Sequence, residues 1–265
     1  MIIVAERINA TRKDIRNALE NKDEAFIANE AKAQFEAGAD YIDLNAGANL
    51  NTEVEDLHWM VDVVENAVDA KIAIDSSSSE VILKTVNKVK NIPMINSVSI
   101  ETKKFEEMRP VIEARESDII ALSLDDRGLP KSSDQAFDNA GRAVEALEKL
   151  GVKRERIFID PLVEAISVDN NNGLKALDTI KRIRENFEGV NIICGLSNIS
   201  FGLPERFLVN RTFLAIAISY GLNAAIADPL DKKLMTAAIV AEMLAGKDKH
   251  SRNYLTKFRK KEIVG

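Results

Sequence analysis

With 265 residues, 46% of them hydrophobic and 29% charged, the chain has enough apolar material for one α/β barrel, for which ~250 residues is typical, or for two smaller domains. Its net charge of -6 argues against nucleic acid as the main partner, because neutralising phosphates calls for a basic face. Cys194 is the only cysteine, which excludes an intramolecular disulfide, and with His58 and His250 as the only histidines neither a Cys/His zinc cluster nor an H-x-x-x-H pair can be assembled.

The N-terminal segment MIIVAERIN carries charges at Glu6 and Arg7 and lacks the apolar run of a signal peptide. No stretch approaches the ~20 apolar residues of a membrane span, so the expected location is the cytoplasm. Ile2–Ala5 is the first of a series of short apolar runs. A helical pattern over Asp23–Glu36 follows, with Phe26, Ile27 and Phe35 on one side. After the run Tyr41–Leu44, Thr52 and Glu55 form a T-x-x-E capping box ahead of the stripe Leu57, Met60, Val61 and Val64. Lys71–Ile74 precedes a helix over Ser79–Val89. Met94–Ile95 precedes a helical candidate that Pro110 is expected to break or delay. Asp118–Leu122 leads into a helix over Ser133–Leu150, with Gly151 as its stop. The runs Ile157–Ile159, Val190–Cys194 and Ala224–Ala227 alternate with helices over Gly173–Phe187, Phe207–Tyr220 and Asp231–Leu244.

These runs are rich in Ile, Val, Leu or Ala and mostly lack polar alternation, as parallel strands buried on both faces do. Strand–helix units of about 33 residues, uninterrupted by a Gly/Ser/Pro-rich linker, predict one α/β domain. The expected fold is a single (β/α)8 TIM barrel over residues 1–246, followed by a basic tail or edge helix over residues 247–265. An open doubly wound sheet would carry a glycine-rich turn after its first strand, where this chain has Glu6-Arg7-Ile8-Asn9.

The active site of such a barrel lies at the C-terminal ends of its strands. There the chain places Glu6, Asp43 with Asn45, Asp75, Asn96 with Ser97, Ser123, Asp160, Ser197 with Asn198, and Asp228. Asp, Asn and Ser are also common helix N-caps, so no one of these is decisive; their recurrence at every strand end points to a site. No lysine closes a strand, which disfavours a Schiff-base aldolase. An acidic mouth repels phosphate. Gly195 reads as a tight-turn glycine. The inventory suits a neutral heterocycle rich in N–H donors. A carboxylate takes two parallel N–H bonds from an amino-pyrimidinone edge such as a pterin's, and an asparagine serves both a donor and an acceptor.

The motifs Glu6-Arg7-Ile8-Asn9, Asp43-Leu44-Asn45, Ile74-Asp75-Ser76, Ile95-Asn96-Ser97, Ile159-Asp160-Pro161, Gly195-Leu196-Ser197-Asn198-Ile199-Ser200 and Asn210-Arg211-Thr212-Phe213 occur in that order. Together they resemble the pterin-binding methyltransferases, above all the methyltetrahydrofolate:corrinoid/iron–sulfur protein methyltransferases. The folate-binding module of cobalamin-dependent methionine synthase and, more distantly, dihydropteroate synthase are relatives. The resemblance spans nearly the whole chain. It implies that Asp75, Asn96 and Asp160 hold the polar edge of the pterin and that Asn198 sits near N5. It also implies that Gly195 and Ser197 shape the floor, with Arg206 as a nearby polar contact. The implied reaction moves a methyl group between N5 of (methyl)tetrahydrofolate and the cobalt of a corrinoid (cobalamin) carried by a separate protein, in either direction. The implied enzyme is a homodimer with no bound metal of its own.

Phe201 stands where some relatives place a polar residue after the S-N-x-S turn. Dihydropteroate synthase activity is disfavoured, because its early Asn-Val-Thr-Pro-Asp-Ser-Phe run and strand-end lysine are absent. A non-catalytic folate-binding subunit would keep Asp75, Asn96 and Asp160 without needing Asn198. A tertiary amine is a poor leaving group, so an asparagine amide tightening on N5 in the transition state is the expected aid to catalysis. With no general acid evident beside Asn198, water is the expected proton source.

Overall fold

The computed structural model describes residues 1–265. Eight parallel strands run β1 (Ile2–Asn9), β2 (Tyr41–Asn45), β3 (Lys71–Asp75), β4 (Met94–Ser99), β5 (Asp118–Leu122), β6 (Ile157–Asp160), β7 (Asn191–Ile192) and β8 (Ala224–Ala227). They neighbour one another in chain order, with β8 beside β1. The ring closes between β7 and β8. There the Ile226 amide donates to the Cys194 carbonyl at 2.9 Å, and Gly195 bridges Ile226 in parallel. This is the TIM barrel expected from the sequence.

Two apolar layers hold it. A cluster of 58 buried residues seats the outer strand faces against the surrounding helices. A smaller cluster of 8 fills the lumen with one residue from each strand or its direct continuation: Val4, Tyr41, Ala73, Met94, Ile120, Phe158, Ile193 and Ala224. Side chains in a strand alternate with period two, so two residues further along each chain the next inward position reaches the mouth. Those positions are Glu6, Asp43, Asp75, Asn96, Leu122, Asp160, Gly195 and Ile226. Every lumen position is apolar and most positions directly above it are polar. The boundary between core and site is therefore one pleat thick.

The helices are α1 (Lys13–Glu20), α2 (Glu24–Glu36), α3 (Glu53–Ala67), α4 (Ser79–Val86), α5 (Thr102–Ala114), α6 (Ser133–Lys149), α7 (Asn172–Asn186), α8 (Arg206–Tyr220), α9 (Lys232–Leu244) and α10 (Arg252–Arg259). Helix α1 has no counterpart in the sequence reading; with only Ile15, Ala18 and Leu19 buried, its stripe is too short to register as a period. The Thr52 capping box does not form. Its hydroxyl donates to Asp56 at 2.6 Å and caps no amide. Pro110 neither breaks nor delays α5, which runs through it. The proline lies on the exposed side of the helix, where the helical hydrogen bond it cannot donate costs least. Gly151 does stop α6, with φ +83° and its amide on the Glu148 carbonyl at 2.9 Å. Past α9, the Lys247 ammonium donates to the carbonyls of Ile218 and Leu222 at 3.2 Å, and α10 follows on the surface with no buried residue.

Candidate functional site

On β2 and β4, the Asn96 amide donates to Asp43 at 3.2 Å. Asp43 is buried, and burial together with the neighbouring Asp75 raises its carboxyl well above the ordinary range. On β2 and β3, the Asn45 amide donates to Asp75 at 3.0 Å, while the Asn45 carbonyl accepts the Gly47 amide at 3.1 Å. Burial also raises Asp75, opposed by the Asn45 hydrogen bond and reinforced by the charge of Glu53. Two asparagine–aspartate pairs thus hold one side of the mouth in fixed rotamers. Both partners keep unused lone pairs for a ligand.

Asp160 closes β6. Its carboxyl is raised to about 7 by burial, while the amides of Leu162 and Gly195 pull it back. The Leu162 bond measures 2.8 Å and fixes the chain as it turns at Pro161. Strand β7 is two residues long rather than the five of the apolar run Val190–Cys194, although the Ile193 amide still donates to the Ile159 carbonyl at 2.9 Å.

The chain then enters a 3-10 turn over Leu196–Ser200. Asn198 is exposed on this turn. Gly195 is not a tight-turn glycine: its φ is −69°. A Cβ there would sit 3.2 Å from the Asn198 Nδ2, so the missing side chain leaves the Asn198 amide its place. Arg206, the first residue of α8, braces the turn by donating to the Ser197 carbonyl at 2.7 Å and the Ser200 hydroxyl at 3.1 Å. Phe201 is 66% exposed, with the Arg206 guanidinium 6.0 Å from its ring.

Glu6 and Asp228 complete the circle. In β1 a bulge sets Glu6 and Arg7 against the single residue Asp43. Arg7 turns out and pairs with Glu30 at 2.9 Å and Asp228 at 2.9 Å. Asp228 also accepts the Leu230 amide at 2.9 Å. Glu6 faces inward, and burial plus the charge of Asp228 raises it to about 7, against the lowering charges of Arg12 and Arg206.

The expected residues do not all meet. Ser123 lies one position past the inward-facing Leu122, so it points away from the mouth and is buried. Its amide donates to the Asp160 carbonyl and its own carbonyl accepts the Asn139 amide, at 2.9 and 3.1 Å. It supports β6 and is withdrawn as a mouth residue. Ser97 lines a cleft of about 290 Å³ with Asp75, Asn96, Ser99, Glu101 and Lys104. Glu53 was missed altogether: it is buried and accepts the Ser76 hydroxyl at 2.6 Å, behind Asp75. In sequence it is one of three acids in the first turn of α3, which reads as a helix-dipole device. A cleft of about 670 Å³ lies at the other end of the barrel. There Arg184 and Lys247 are occupied with backbone carbonyls, which makes it a structural joint.

Known proteins resemble this chain in sequence and in fold. The chain is 36% identical over 265 residues to a methylcorrinoid:tetrahydrofolate methyltransferase of Eubacterium limosum, covering 99% of this chain and 98% of that protein. It is 26% and 25% identical to methionine synthases of Mycobacterium leprae and Mycobacterium tuberculosis, over 85% of this chain and 20% of theirs. The fold is similar to that of dihydropteroate synthases of Coxiella burnetii and Xanthomonas albilineans. Their TM-scores are 0.68 and 0.71, with 92% of this chain covered in each case and 92% and 91% of theirs, at 15% and 14% identity. Residues 5–228 match the profile of the family described as pterin binding enzyme. A barrel whose mouth is layered with carboxylates and amides, joined to that match over most of its length, belongs to the pterin-binding enzymes.

Proposed function

We propose that this protein is a methyltransferase that moves a methyl group between the N5 nitrogen of tetrahydrofolate and the cobalt of a corrinoid carried by a separate protein. The observation that carries the reading is end-to-end similarity to the Eubacterium limosum methylcorrinoid:tetrahydrofolate methyltransferase. That relative's name also favours the direction from methylcorrinoid to tetrahydrofolate.

The mouth supplies what such a reaction needs. Asp75, Asn96 and Asp160 present acceptors and one amide to the pyrimidine edge of the pterin. Asp43 and Asn45 hold Asn96 and Asp75 in place. Asn198 stands exposed above Gly195, where its amide can meet N5 as charge changes there. Phe201, Phe207 and Leu208 are 66%, 64% and 62% exposed beside that turn and offer an apolar rim to a planar corrin ring. We place the enzyme in the cytoplasm; no helix is long and apolar enough to cross a membrane. We also read it as a homodimer, for which Ile216 and Tyr220 on α8 add exposed apolar surface.

The test combines calorimetric titration with tetrahydrofolate and spectroscopic detection of methyl transfer from methylcobalamin, for wild type and Asn198→Ala. The expected result is micromolar binding and turnover in the wild type, with the variant losing kcat by roughly 10²–10³-fold while affinity falls less. Absence of folate binding overturns the pterin reading. Binding without any methyl exchange leaves a folate-binding subunit and removes the enzyme.

A further inference from the structure

Methylation of tetrahydrofolate releases a proton from N5, and the reverse transfer returns one. We propose that Glu6 is the carboxylate that takes up and returns this proton, directly or through one water; this rests on the methyltransferase reading above.

The placement comes from the fold. Glu6 is the inward position directly above the lumen residue Val4, and the bulge in β1 sets Arg7 beside it against the same residue, Asp43. The other inward carboxylates are engaged: Asp43 by Asn96, Asp75 by Asn45, and Asp160 by the Leu162 amide. Asp228 is engaged by Arg7. Glu6 has only charges around it and no hydrogen bond from the protein: Asp228 at the end of β8, Arg12 ahead of α1, Arg206 at the start of α8, and Asp43 on β2, which feels its charge in turn. Arg206 is also the group that grips the Ser197 carbonyl, one residue from Asn198. The guanidinium that braces the Asn198 turn is thus also one of the charges that act on Glu6.

Burial and Asp228 hold the Glu6 carboxyl at about 7, so both protonation forms are populated at neutral pH, as proton transfer in either direction requires. In the methylation direction the N5 lone pair forms the new N–C bond and the electron pair of the Co–C bond stays with cobalt. The N5–H proton goes to the Glu6 carboxylate, and from there to water at the mouth. No further reactant is needed.

The experiment is single-turnover transfer from methylcobalamin to saturating tetrahydrofolate, so that the pH dependence of binding at Asp160 does not enter the rate, between about pH 5.5 and about pH 8.5, for wild type, Glu6→Gln and Glu6→Asp. Folate titration and thermal melting accompany each. The wild-type rate should rise through about pH 7 as Glu6 ionises. Glu6→Gln should be slower by roughly 10²–10⁴-fold and lose that step, with folate affinity within about twofold. Glu6→Asp should keep a pH step and recover part of the rate. A Glu6→Gln profile that matches the wild type overturns the proposal, as does a rate loss matched by lost folate affinity. If Glu6→Gln fails to fold, a folded Glu6→Asp without a pH step overturns it. A wild type that binds folate and transfers no methyl overturns the underlying methyltransferase reading instead.

Discussion

A carboxyl raised to about 7 by burial accepts both N–H bonds of a ligand's edge only after it ionises. The affinity of tetrahydrofolate should therefore improve as pH rises from about 6 to about 8 and level off once Asp160 is charged. Asp160→Asn replaces half of the acceptor capacity with a donor. Charge-assisted hydrogen bonds contribute about 1.5–3 kcal/mol each, so the variant should bind at least tenfold more weakly at about pH 8, with a flattened pH dependence. Calorimetry at the two pH values checks both; unchanged affinity in the variant would remove Asp160 from the clamp. At this scale the sequence was most informative where one residue type at one strand end suffices, as with Asp75, Asn96 and Asp160. It could not show which neighbour holds which. The Asn45–Asp75 and Asn96–Asp43 pairs join residues 30 and 53 positions apart, and the Glu53–Ser76 bond behind them leaves no local pattern.

Parallel strands buried on both faces announce themselves as apolar runs, and each of the runs became a strand. Their ends were less legible. Strand β1 continues through charged Glu6 and Arg7 to Asn9, with a bulge that sets both against Asp43 while Arg7 pairs with Glu30 and Asp228. Strand β7 stops at Ile192, where the chain leaves the ladder ahead of the 3-10 turn over Leu196–Ser200. The joint between α8 and β8 offers a test of packing that leaves the mouth untouched. Gly221 ends α8 with φ +119°, and a Cβ there would lie 2.8 Å from the Cβ and Cγ of Arg184. The Arg184 guanidinium donates to the Gly221 carbonyl at 2.9 and 3.0 Å, so the two segments cannot easily separate. Gly221→Ala should cost about 1–3 kcal/mol in urea unfolding and leave folate affinity unchanged. Wild-type stability in the variant would show that this joint yields.

For the molecule as a whole, the mouth is a stability cost in the absence of ligand. Glu6, Asp43, Asp75 and Asp160 all have raised carboxyl groups, with burial as the first cause. The folded state therefore holds more protons than the unfolded one. The stability these groups contribute is fully present below the ordinary carboxylate range and is lost as pH rises through their folded values. Asp43→Asn removes the largest burial while its side-chain oxygen can still accept from Asn96. The variant should melt higher than the wild type, by a margin that widens from about pH 5 to about pH 8 in the free protein. A margin independent of pH would mean that Asp43 titrates as an exposed carboxylate does.

The single pleat between lumen and mouth also separates two inheritances. Val4, Tyr41, Ala73, Met94, Ile120, Phe158, Ile193 and Ala224 keep the barrel filled, whatever stands two residues further along. The ligand can therefore change by rewriting alternate positions at the strand ends without refilling the interior. A scaffold layered in this way is open to new chemistry one side chain at a time.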